Sequence, residues 1–129
     1  MLLRFLLFFL FIQSAMAETF EVKYGLFKYV VKFDDQSLVI NGNNLNQNLK
    51  KNECNKLLFE KFTGDLRKDL RTMSIFKKAD PEKVEIQYQK EKSYQERTSP
   101  TGKRFLALPK DIQKLILTEQ LKCGKDQKP

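Results

Sequence analysis

The feature that most constrains the fold is a period-two alternation of apolar side chains whose phase flips at a single glycine. Phe20, Val22 and Tyr24 alternate with Glu21 and Lys23, and beyond Gly25 the apolar set moves to the odd positions Phe27, Tyr29, Val31 and Phe33. Neighbouring side chains on a strand point to opposite faces, so a phase flip would expose the apolar set unless the chain reverses or bulges there. Asp34-Asp35-Gln36-Ser37 reads as a second reversal, and Leu38-Val39-Ile40 as a return strand ending at Asn41-Gly42. The pattern predicts an N-terminal antiparallel meander with one face available for a core.

The stretch 43–52 is polar and rich in asparagine, a residue depleted in strands, and reads as a loop or linker. The apolar period then lengthens to four. Leu58, Phe62, Leu66 and Leu70, joined by Phe59 and Met73, form a stripe, while Lys56, Glu60, Lys61, Asp65, Lys68 and Asp69 fill the other sides. An amphipathic helix over 53–72 is predicted. Gly64 in its middle costs about 1 kcal/mol relative to alanine, which points to a kink or to close packing.

Asp80-Pro81 marks a boundary, after which Val84, Ile86 and Tyr88 resume strand alternation. The apolar members then stop, because Lys90, Lys92 and Glu96 share the parity of Tyr88. The stretch 89–104 is expected to form a projecting polar hairpin that turns at Ser99-Pro100-Thr101-Gly102 and returns through a strand over 104–108, with a disordered loop as the competing arrangement. Pro109 fits the first turn of a final helix in which Ile112, Leu115, Ile116 and Glu119 share one side, Leu117 and Leu121 widen the stripe, and Cys123-Gly124 forms the stop. The tail 125–129 is expected to fray. The fold class is therefore α+β: a small antiparallel sheet, made of the N-terminal meander and a later hairpin, packed against two amphipathic helices.

Residues 1–17 read as a secretory signal peptide. Arg4 supplies a minimal positive start, 5–12 are an unbroken apolar run, and Ala15-Met16-Ala17 has the small-x-small pattern of a cleavage site. A bilayer span needs about 20 apolar residues and this run is roughly half that, so no transmembrane anchor is expected. The working protein is then a single small domain over 18–129, periplasmic or secreted. Disulfides persist in such compartments, and the chain has two cysteines, Cys54 at the start of the first predicted helix and Cys123 at the end of the second. A bridge between them would staple an antiparallel helix pair at one end.

The chain has no histidine, which removes the commonest metal ligand and the usual general base near neutral pH. Neither a Cys-x-x-Cys motif nor a phosphate loop occurs: Gly102-Lys103 would need glycine in place of Arg97 and serine or threonine in place of Arg104. No cofactor or metal is implied. Paired-carboxylate chemistry is defined by separation in space, so it leaves no mark in sequence.

What remains is charge, 24 lysines and arginines against 16 acidic residues, a formal net charge of +8. Such an excess attracts anionic partners, although interleaved carboxylates also fit a merely solubilising surface. An exported protein meets other proteins, anionic glycans and lipid surfaces more readily than nucleic acid. The candidate binding residues are Lys90, Lys92, Tyr94, Arg97, Lys103 and Arg104, all placed in the expected hairpin, with Tyr94 able to stack on a flat ring. The function expected is that of an exported, non-enzymatic binding or interaction protein. The alternative is an envelope-polymer hydrolase or transferase working with carboxylates.

Overall fold

The phase flip at Gly25 is a two-residue turn. The computed structural model describes residues 17–124, so the expected signal peptide up to residue 16 and the tail 125–129 lie outside the described residues. Strand β1 (Glu18–Tyr24) passes through Gly25, at φ +61°, and Leu26 into β2 (Phe27–Phe33). The reversal into β3 (Ser37–Gly42) is held by the Asp34 carboxylate, whose Oδ1 accepts from the backbone N–H of Gln36 at 2.8 Å and of Ser37 at 2.9 Å.

The stretch 43–52 is not a loop, because it holds a fourth strand, β4 (Leu45–Lys50). Asn43 and Asn44 both take positive φ, 51° and 58°, which is the backbone of the hairpin turn whose twist matches that of the flanking strands. An edge strand with one solvated face needs few apolar residues, and Leu45 and Leu49, both buried, are sufficient here.

Helix α1 (Lys56–Thr72) begins three residues later than the stripe implied. A reciprocal pair comes first: Asn52 N–H donates to Asn55 Oδ1 and Asn55 N–H to Asn52 Oδ1, each at 2.8 Å, which holds 53–55 in a turn. Phe59, Thr63, Leu66 and Leu70 form its buried face. A Cβ at Gly64 would meet nothing within 4 Å, so close packing is not the reason for that glycine.

Strands β5 (Val84–Tyr88) and β6 (Glu91–Gln95) form the later hairpin, which turns at Gln89 and Lys90 instead of at 99–102. Ser99-Pro100 opens helix α2 (Pro100–Cys123): the Ser99 hydroxyl accepts from Gly102 N–H at 3.0 Å, and proline occupies the first turn, where its missing N–H costs nothing. Gly102 is required by a close approach, since a Cβ there would lie 2.0 Å from the Glu96 carbonyl oxygen. Residues 104–108 are accordingly helical and not a return strand, and Pro109 sits inside the helix and not in its first turn.

The sheet has six antiparallel strands in the order β4-β3-β2-β1-β5-β6, and both helices cover one face. At the core, Phe20 meets Tyr29, Phe33 and Phe105 edge to face, with centroids 6.3, 6.5 and 5.6 Å apart. The Tyr29 hydroxyl donates to the Phe105 carbonyl at 2.5 Å. In a helix that carbonyl would accept from the N–H four residues on, which is position 109; proline has none, so the tyrosine takes its place. The Cys54–Cys123 disulfide, with Cα atoms 5.7 Å apart, ties the start of α1 to the end of α2. At the opposite ends Arg104 bonds Asp69 at 3.1 Å, so the helices run antiparallel. Leu117 and Leu121 are 56 % and 70 % exposed and do not widen the buried stripe.

Candidate functional site

Among the described residues, two of the places that gather charged side chains bear on function. The first is the sheet face that the helices leave uncovered. Alternation along each strand sends to this face Glu21 and Lys23 from β1, Lys28 and Lys32 from β2, Lys50 from β4, Glu85 from β5, and Lys92 with Tyr94 from β6. The register aligns them in cross-strand rows: Tyr94, Glu85, Lys23 and Lys28 in one, and Lys92, Gln87, Glu21 and Val30 in the next. Glu21 is occupied by Lys28 at 3.2 Å and Lys23 at 3.7 Å. Strands β2, β3 and β4 contain no carboxylate, so their half of the face carries lysine, valine, asparagine and one serine, Ser37.

The six residues expected in one hairpin are dispersed by the fold. Lys92 and Tyr94 lie on the open face, and Lys90 in the β5–β6 turn beside it. Arg97 follows β6 and lines a hollow shared with Asp80, Glu82 and Glu96. Lys103 is exposed in the first turn of α2. Arg104 is held between α1 and α2, bonded to Asp69 and to Asp111 at 3.1 Å each, with its guanidinium 5.9 Å from the Phe62 ring. That guanidinium joins the helices. Conversely, Lys28, Lys32 and Lys50 were absent from the sequence-derived set, because a lysine alternating with buried apolar residues is also the ordinary pattern of a solvated strand face; only the pairing of strands brings them together.

The second place is a hollow of about 690 Å³ at the start of β1, lined by Glu18, Asp35, Arg67, Arg71 and Tyr88 among others. Glu18 Oε2 accepts from Arg67 Nε at 2.6 Å, and Oε1 accepts from Tyr88 OH at 2.5 Å and from Arg71 Nη2 at 3.1 Å. Arg67 also stands 3.6 Å from Asp35 and lies over the Phe33 ring at 5.4 Å. Burial pushes the Glu18 carboxyl up, but the hydrogen bonds from Tyr88 and Arg67 and the charges of Arg71 and Arg67 outweigh it and hold the group below its ordinary 4.5. Burial and the hydrogen bond to Glu18 raise the Tyr88 phenol and outweigh the lowering by Arg71, so it stays a donor.

A carboxyl whose pKa falls on folding contributes stability that is complete above its unfolded value and is lost as pH drops through the lower folded one. Glu18→Gln is expected to cost about 1–2 kcal/mol at pH 7, the worth of charge-assisted hydrogen bonds at a partly solvated site. Urea titrations should show the gap between parent and variant narrowing steadily below about pH 4.5. A gap of constant size down to acid unfolding would mean that the carboxylate charge is not what matters.

Among the described residues no group of three His, Cys, Asp or Glu side chains is placed to hold a metal ion, and no helix is long and apolar enough to cross a membrane. No protein-family model, curated protein or solved structure matches the chain.

Proposed function

We propose that the chain is an exported, non-enzymatic binding protein whose open sheet face holds an anionic partner. The observation that supports this is the row-wise gathering of Lys23, Lys28, Lys32, Lys50 and Lys92 on a face that the two helices leave uncovered, with Glu21 and Glu85 as its only acids among the described residues. A flat array of ammonium groups attracts anions over a distance set by screening, about 8 Å at physiological salt. The carboxylates in the hollow at the start of β1 are less suited to chemistry: Arg67 and Arg71 hold Glu18 in its charged form, which removes it as a proton donor, and Arg67 also stands 3.6 Å from Asp35. On the same proposal Glu18 is the first residue of the mature chain, and its carboxylate fastens that end to α1 and β5.

The test is binding to three anionic probes, phosphatidylglycerol vesicles, a sulfated glycan and an acidic polypeptide, with a Lys28→Gln/Lys32→Gln/Lys92→Gln variant. At least one probe should bind the parent, more weakly as salt rises, and the variant should lose tenfold or more in affinity. Its thermal stability should stay unchanged, because exposed charges contribute little to folding. Lys103→Gln, on the helix side, should bind as the parent does. Equal binding by the triple variant and the parent would overturn the proposal.

A further inference from the structure

The two edges of the sheet are treated differently by the chain. The outer edge of β6 is covered in part by the segment that follows α1: Tyr94 N–H donates to the Phe76 carbonyl at 2.8 Å, Phe76 N–H to the Ser93 side-chain Oγ at 3.1 Å, and the Gln95 side-chain Nε2 to the Ser74 carbonyl at 2.7 Å. At β4 the register decides which backbone groups are free. The two-residue turn closes on Gly42 and Leu45 as a hydrogen-bonded pair, and Lys51 N–H donates to the Gln36 carbonyl at 2.8 Å. Odd positions therefore bond inward to β3, and Asn46, Asn48 and Lys50 point their amides outward. Of these groups only the Lys50 carbonyl has an acceptor role already, from Asn55 Nδ2 at 3.0 Å. Among the described residues nothing else pairs with that edge.

We infer that β4 is a docking edge for an extended acidic peptide segment of a partner protein, added as a seventh antiparallel or parallel strand. A bare edge is a template for strand addition, with main-chain hydrogen bonds supplying affinity and side chains supplying selectivity. Charge supplies the selectivity here. From Gln36 to Asn52 the chain contains no carboxylate, and its charges are Lys50 and Lys51. An incoming strand that places an acid beside Lys50 gains a direct pair, with Lys32 two strands further in on the same face. A basic strand would be repelled. This deepens the proposed function by naming the partner class, and it rests on the open face being the binding side.

The experiment uses an acidic peptide of about ten residues with alternating glutamate and valine, and amide hydrogen exchange read at single residues. Exchange at Asn46, Asn48 and Lys50 should slow at least tenfold when the peptide binds, while the inward-bonded amides of Gln47 and Leu49 change little. Asn48→Pro removes an outward N–H without touching a bond to β3 and should weaken binding tenfold or more; Lys50→Glu/Lys51→Glu, which leaves the backbone intact, should do the same if the proline variant is misfolded. Binding that leaves the three outward amides unprotected overturns the inference, as does protection that already exists without peptide and grows with protein concentration, the mark of a second copy on the edge. If those amides stay unprotected while Lys28→Gln/Lys32→Gln/Lys92→Gln still weakens binding, the edge assignment fails and the basic face stands. Protected amides with binding indifferent to that triple variant would leave the edge and remove the face.

Discussion

Replacing Cys54 or Cys123 by serine lowers the melting temperature by on the order of 10 °C or more. The bridge spans 69 residues, and in the chain-entropy model the unfolded state of a loop of that length gains about 4 kcal/mol of freedom when the link is cut. A domain of this size shifts its midpoint by about 4–8 °C per kcal/mol. The position matters as much as the length. Cys54 precedes α1 and Cys123 ends α2, so the link holds together the helix ends furthest from the Arg104–Asp69 pair; without it those ends keep only weaker ties such as Asn52 to Glu119 at 3.5 Å. Calorimetry on the parent with and without reductant, and on both serine variants, decides it. All three perturbations should converge on the same lowered midpoint, and a reduced parent that melts with the oxidised one would refute the stabilising role.

The second large effect is expected at Tyr29. Its hydroxyl is fully buried and satisfies the Phe105 carbonyl that Pro109 leaves without a helical donor. Tyr29→Phe keeps the ring and its contacts with Phe20 and Phe27 but strands that carbonyl in the core, at a cost of about 2 kcal/mol. Burial pushes the Tyr29 phenol far above its ordinary 10, so it remains a donor and the cost should be flat between about pH 5 and 9. The proline supplies a sharper check. Pro109→Ala restores an N–H at the position that would bond Phe105, so Tyr29→Phe should cost about 1 kcal/mol less in the alanine background than alone. Urea unfolding of the four proteins gives the cycle, and strict additivity would show that the hydroxyl and the proline do not share that carbonyl.

The elements that were legible in the chain are those whose evidence lies within the element. Strands β1, β2 and β5 each carry alternation that one residue's shift would expose, β3 is a short apolar run between two turn signals, and α1 carries its stripe at a helical period. The elements misread are those whose signal lies in a neighbour. β4 has only Leu45 and Leu49 on its buried side, because a sheet edge needs little more, and Asn43-Asn44 marks a hairpin turn only to a reader who already has two strands to join. At Ser99-Pro100-Thr101-Gly102 a proline in second place suits a type I turn as well as the first turn of a helix; the contact that decides for the helix is Gly102 against the Glu96 carbonyl, where a Cβ has no room.

The candidate site divides along the same line. Lys92 and Tyr94 were within reach of the sequence, whereas the gathering of Lys28, Lys32 and Lys50 with them depends on a strand order in which β1 joins β5 across a helix and a long connection. Arg104 reads as a free cation so long as 89–104 is a hairpin; Asp69 is 35 residues away, and Asp111, seven residues on, comes beside it only because both stand on one helix. What the sequence by itself determined is which side of β1, β2, β5 and α1 must leave water, and that two cysteines at helix ends can be linked, since periodicity and spacing are local properties of the chain. Which edge stays open, which cations stay free and which hydroxyl replaces the N–H that Pro109 lacks were decided only by tertiary structure, because hydrogen bonds and ion pairs of that kind are made between residues that packing alone brings within 3 Å or so of each other.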